Sequence, residues 1–206
     1  MNQEIAQRRD GPVDATTTLI LAHGAGAPMD APFMDTIATG VAEAGIAVIR
    51  FEFPYMARRR EYGKRRPPDR QPVLLDTWRT MFSSVICTRV AIGGKSMGGR
   101  MASLIADEVG AAGLVCLGYP FHPPGKPDRL RTEHLATMKT PTLILQGERD
   151  PFGAKAEVDG YDLADSIAVQ WLGDGNHDLA PRKKSGRTHE QNLAEAIAGI
   201  VGFLES

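Results

Sequence analysis

The segment AIGGKSMGGR, Ala91–Arg100, sets a serine among glycines, and two chemistries compete for it. A Gly-Lys-Ser triplet closes a phosphate-cradling loop only when another glycine stands five positions before its own, because an extended run of backbone N–H groups must wrap the phosphates. That position is Arg89, and the residues before Lys95 form an apolar strand pattern with no room for the wrap. One frame wider, Gly94-Lys95-Ser96-Met97-Gly98 is a G-x-S-x-G turn. Such a corner projects a nucleophilic hydroxyl and presses the residues two before and two after it against neighbouring backbone, where only glycine fits. A helix starting there points N–H groups and its positive end at any anion formed beside Ser96. Seven serines and 22 glycines in 206 residues give about 0.08 such matches by chance. The nucleophile turn is therefore preferred to a tight glycine turn with an inert serine.

A serine on this corner needs a strand before it and a helix after it, and the chain supplies that unit repeatedly. TTTLILAHG (16–24) reads as a strand, followed by a helix capped by Asp30 with Phe33, Ile37, Val41 and Ala44 at helical spacing. IAVIRFEF (46–53) is a second strand; after a basic loop, Val73, Leu74, Trp78, Met81, Phe82 and Val85 mark the next helix. RVAIGG (89–94) precedes a helix with Met97, Met101, Leu104, Ile105 and Val109 on one face. AGLVCLG (112–118), TLILQG (142–147) and IAVQWLG (167–173) are further strands, and Leu193, Ile197, Ile200, Val201 and Leu204 line a closing helix. Strands alternating with helices cannot be joined as hairpins. The pattern predicts a single three-layer α/β domain over residues 1–206: a mostly parallel sheet of about six or seven strands, helices on both faces, and an irregular N-terminal segment at 1–15. In such sheets ligands bind beyond the carboxyl ends of the strands.

With Ser96 at a strand-to-helix corner, residues 17–204 resemble the α/β-hydrolase superfamily, and most nearly its compact dienelactone-hydrolase-like members. The resemblance implies a triad in the chain order nucleophile, acid, histidine. GERDPFG, after the strand 142–147, resembles the family's acid loop and assigns Asp150, with Glu148 as competitor and Asp174 and Asp178 behind it. DGNHD, after the strand 167–173, assigns His177 as base, against the plainer reading of a surface-loop histidine. His134 and His189 fall in helical segments and His122 in a proline-rich loop. LAHGAG (21–26) resembles the family's second oxyanion element, so the N–H of Ala25 or Gly24 would join that of Met97, with His23 structural; a simple helix-entry glycine turn is the alternative.

The implied function is a serine hydrolase that cleaves a small acyl ester or thioester through an acyl-enzyme, with no metal or organic cofactor. Tyr55, Met56, Tyr119 and Phe121, all near strand ends, are candidates for pocket walls or for core. Dienelactone hydrolases proper carry cysteine where this chain has Ser96, so lactone specificity is not implied. The short connection before the acid strand leaves little room for a lid, which predicts a shallow, open pocket. YPFHPPGKP and LQGERDPFG also resemble a group of predicted hydrolases whose relatives include chromatin-complex subunits in animals. An interaction module on the same fold, with weak or no activity, is thus the alternative function.

Charge and composition narrow the partners. The net charge is only −1, yet Met56–Arg70 carries Arg58, Arg59, Arg60, Lys64, Arg65, Arg66 and Arg70 against Glu61 and Asp69. Arg182, Lys183, Lys184 and Arg187 make a second basic run. The plain reading of both is solvated loop; the sharper one is recruitment of acyl substrates bearing a carboxylate or phosphate, or of an acidic partner. Nucleic acid is not expected, because stacking aromatics are sparse among these charges. No apolar run is long enough to span a bilayer, and MNQEIAQRRDGP has no apolar leader core, so neither membrane insertion nor export is expected. Cys87 and Cys116 lack C-x-x-C spacing and read as free thiols of a reducing cytoplasm.

Overall fold

The computed structural model describes residues 5–206. Their order is β1 (Gln7–Asp10), β2 (Thr17–Ala22), α1 (Pro32–Glu43), β3 (Ala47–Phe51), α2 (Pro54–Tyr62), α3 (Gln71–Ser84), β4 (Arg89–Lys95), α4 (Met97–Ser103), α5 (Ala106–Val109), β5 (Leu114–Leu117), β6 (Thr142–Gly147), α6 (Lys155–Val158), β7 (Ile167–Leu172) and α7 (His189–Glu205). Single 3₁₀ turns lie at Glu133–Thr137 and Lys183–Ser185. The strands form one seven-stranded sheet in the order β1-β3-β2-β4-β5-β6-β7. β1 runs antiparallel to β3, and every other neighbouring pair is parallel.

Period-two alternation divides the apolar side chains between the sheet's faces. Ile20, Ala22, Ile92 and Ile144 pack with Trp78 and Met81 of α3 and Met101 of α4. Leu19, Leu21, Val115 and Leu145 pack with Ile37 and Val41 of α1 and Leu193 and Ile200 of α7. Both faces are thereby covered, as a largely parallel sheet requires.

Three expectations are corrected. Residues 1–4 of the segment expected to be irregular lie outside the described residues, but Gln7–Asp10 is an edge strand. Its physical reason is Arg50 of β3, which is buried and must be paired: Asp10 accepts from its Nη2 at 2.7 Å, Asp35 accepts from Nη1, and the Met29 carbonyl accepts at 2.9 Å. Asp30 does not cap α1; Ala31 holds that position with Pro32 as the first helical residue, and Asp30 pairs with Arg60 instead. The basic stretch begins as helix, since Pro54 opens α2 and Gly63, at φ 65°, closes it in the left-handed region.

The connection from β5 to β6 carries only the 3₁₀ turn at Glu133–Thr137, whose Leu135 is buried in the core. Among the described residues no helix is long and apolar enough to cross a membrane. Cys116 is buried and Cys87 half-buried, and both are free.

Candidate active site

β4 ends at Lys95, and the chain turns through Ser96 at φ 52°, ψ −116° into α4. The Ser96 N–H donates to the Leu117 carbonyl of β5 at 2.9 Å, pinning the corner to the sheet. The flanking glycines are required by space. A Cβ on Gly98 would stand 2.6 Å from the carbonyl oxygens of both Ala22 and His23, and one on Gly94 would stand 2.5 Å from the Ala22 oxygen. A positive φ at a serine costs on the order of 1–3 kcal/mol, held in place here by the packed strand and helix on either side.

Two later loops reach this corner. His177, beyond β7, places Nε2 2.8 Å from Ser96 Oγ and Nδ1 2.8 Å from Asp150 Oδ2. The carboxylate can only accept, so Nδ1 carries the proton and Nε2 is left to accept from the serine hydroxyl. Asp150, beyond β6, is fully buried; its Oδ1 accepts from Phe152 N–H at 2.9 Å and its Oδ2 from Gln146 Nε2 at 3.0 Å. The competing acids are engaged elsewhere. Glu148 accepts from the Asp174 N–H at 2.8 Å, and Asp178 pairs with Lys95 at 3.3 Å. Asp174 pairs with Arg149 and Arg182, and the hydrogen-bonding Arg182 guanidinium holds its carboxyl below the usual range.

The loop after β2 completes the rim. Tyr55 OH donates to the carbonyls of Ala25 at 3.0 Å and Gly24 at 3.3 Å, fixing that loop from below. His23 Nδ1 donates to the Gly24 carbonyl at 2.6 Å while its Nε2 accepts from Phe53 N–H at 3.1 Å, which requires the neutral ring; burial pushes its pKa down accordingly. A cavity of about 320 Å³ opens between Gly24, Ala25, Ser96 and His177. Among the described residues, the N–H groups of Ala25 and Met97 are not used by the backbone hydrogen bonds that hold the turns, loops and caps.

Ser96, His177, Asp150, Gly24, Ala25 and Met97 thus stand together, whereas Tyr55, Met56, Tyr119 and Phe121 are core residues that do not line the cavity. The turn into α2 at Pro54 rotates Tyr55 and Met56 inward, and Tyr119 packs edge-on against Phe121 with ring centroids 4.9 Å apart. The walls come instead from the start of α1, with Phe33 and Met34, and from Phe152, whose ring lies 4.2 Å from that of His177.

Two further residues escaped the sequence reading. Gln146, fully buried at the end of β6, accepts from Tyr119 N–H at 2.7 Å while donating to Asp150, so it orients the carboxylate. An amide at the end of an apolar strand was the available signal. Lys95, next to Ser96, is buried and donates to the His177 carbonyl while pairing with Asp178 and lying 5.2 Å from the Phe33 ring centroid. Burial pushes its pKa down and Asp178 opposes the shift. Lys95 therefore clamps the histidine loop to the serine corner. Among the described residues, no three His, Cys, Asp or Glu side chains are grouped to hold a metal ion.

Residues 15–205 match the model of an alpha/beta hydrolase domain family. Solved structures share the fold, and three of them serve as examples. A serine hydrolase without a lid from Xanthomonas campestris is 18% identical, with a TM-score of 0.75 over 98% of this chain and 90% of that one. A dienelactone hydrolase from Anabaena variabilis is 20% identical, with a TM-score of 0.72 over 98% and 94%. Est1E from Butyrivibrio proteoclasticus, with ferulic acid bound, is 13% identical, with a TM-score of 0.72 over 98% and 96%.

Proposed function

The chain belongs to the alpha/beta hydrolase family, and on that premise we propose that it is a serine hydrolase that cleaves small acyl esters or thioesters through a covalent acyl-enzyme. One observation carries the reading: hydrogen bonds of 2.8 Å each link Ser96 Oγ to His177 and His177 to a buried carboxylate. Ser96 Oγ attacks the acyl carbonyl carbon as His177 Nε2 takes its proton, and Asp150 holds the ring and stabilises the imidazolium. The oxyanion sits against the N–H groups of Met97 and Ala25, each contributing about 3–4 kcal/mol of transition-state stabilisation. The tetrahedral adduct collapses when His177 returns the proton to the leaving group. Water, deprotonated by the same ring, then releases the acid and regenerates Ser96.

The open cavity and its short apolar walls suit a small acyl group. Est1E, which holds ferulic acid, and the dienelactone hydrolase are neighbours of the same fold with compatible chemistry. A fluorophosphonate probe is expected to label the protein at Ser96, and Ser96→Ala to lower aryl-ester turnover by about 10⁴-fold or more with the fold retained. Absence of labelling in the folded protein, or unchanged turnover in Ser96→Ala, would remove the mechanism.

A further inference from the structure

The basic segment after β3 sorts into two groups. Arg58 pairs with Asp69, and Arg60 with Glu52 and Asp30. Among the described residues, Arg59, Lys64, Arg65, Arg66 and Arg70 form no ion pair. Three of these unpaired cations, Arg59, Arg65 and Arg66, line one cleft of about 470 Å³ with Pro67 and Pro68, and its remaining wall is Ala25 and Gly26. The same two residues line the Ser96 cavity on their other side. The two spaces are neighbours across a single loop.

The cleft wall is tied down at both ends. Arg59 Nη1 donates to the Gly26 carbonyl at 2.9 Å, and Asp69 accepts from the Tyr55 N–H at 2.8 Å, on the same residue whose hydroxyl holds Ala25. Guanidinium groups gathered without carboxylates repel one another, and their planar forks match the oxygens of carboxylate and phosphate. We propose that this cleft is a subsite for a carboxylate or phosphate carried by the acyl ester cleaved at Ser96, which makes anionic esters the preferred substrate class. The inference rests on the serine-hydrolase reading above. The anion lies across the Ala25–Gly26 loop from the reacting carbonyl, so it is separated from the ester by several bonds and acts on binding more than on the chemical step.

The test compares kcat/KM for two ester pairs, one bearing a carboxylate on the acyl chain and one bearing it on the aryl leaving group, each against its neutral counterpart. At low salt, at least one pair is expected to favour the anion by about tenfold. Arg65→Ala/Arg66→Ala should collapse that ratio about tenfold through KM, while Lys183→Ala/Lys184→Ala, which removes equal charge away from the cleft, should preserve it. Ratios near one for both pairs, or equal losses in the two double variants, overturn the subsite while leaving Ser96-dependent turnover intact. If neither neutral nor anionic esters are turned over, the hydrolase reading has failed, and the cleft is judged by calorimetry with phenyl phosphate. Saturable binding weakened about tenfold by the arginine substitutions supports an anion site; no saturable binding overturns it.

Discussion

At the scale of single residues, the site trades backbone strain for reach. Ser96 holds φ 52°, ψ −116° because the corner must lift its hydroxyl to His177 Nε2. A glycine would occupy that backbone freely, whereas alanine keeps the Cβ that makes it costly. Ser96→Gly is therefore expected to be more stable than Ser96→Ala by about 1 kcal/mol, a gain of roughly 2–4 °C in Tm, although both lack the hydroxyl. Equal melting temperatures would show that the corner is unstrained. The glycines at 94 and 98 made this residue legible in the sequence, since their spacing encodes backbone crowding. Gln146 and Lys95 were not legible, because their roles depend on which loop each side chain meets: Gln146 meets Tyr119 and Asp150, and Lys95 meets the carbonyl of a residue far along the chain. For the same reason the sequence left Tyr55 and Tyr119 open between pocket wall and core, and the packing places them in the core.

At the scale of elements, apolar periodicity exposed the strands and helices that bury one consistent face, and it failed where charge does the positioning. β6 lies at the expected residues, and the ends of the other apolar strands fall within two residues of theirs. QRRD has no apolar pattern at all, yet it forms β1 because Arg50, one residue before the end of β3, is buried and demands a carboxylate. That partner, Asp10, comes from forty positions away, beyond the window of any local pattern. Among the described residues, removing it leaves Arg50 with Asp35 and the Met29 carbonyl. Asp10→Ala should destabilise the protein by about 3 kcal/mol, at the low end for breaking a buried pair, and should free β1 from the sheet edge. Urea unfolding measures the first and amide exchange at residues 7–10 the second. Loss below about 1 kcal/mol would mean that Asp35 alone suffices for Arg50.

At the scale of the molecule, the pattern predicted a parallel sheet but not its order, and the order is what brings the site together. β4, which carries Ser96, is separated from β6, which carries Asp150, by β5, and β7 follows at the edge with His177. Only the assembled sheet brings these loops to one point, so conditions that loosen the whole fold dissolve the site with it. Acid is such a condition. His134, in the 3₁₀ turn of the β5–β6 connection, packs its Nε2 2.8 Å from Ser103 Oγ of α4, and burial, helped by the Arg100 charge, depresses its pKa to about 4. An unfolded histidine protonates near its ordinary value of about 6.5, so between those limits the unfolded chain binds the extra proton and stability falls as pH falls. Because the ring is partly open to solvent, the loss is expected at about 1–2 kcal/mol rather than the full shift. His134→Gln removes this titration. Comparing urea unfolding at pH 7 and pH 4.5, the wild type should lose about 1–2 kcal/mol more than the variant, the carboxylates titrating equally in both. Identical losses in the two proteins would place the acid sensitivity of the fold in its carboxylate pairs, with the β5–β6 connection contributing none of it.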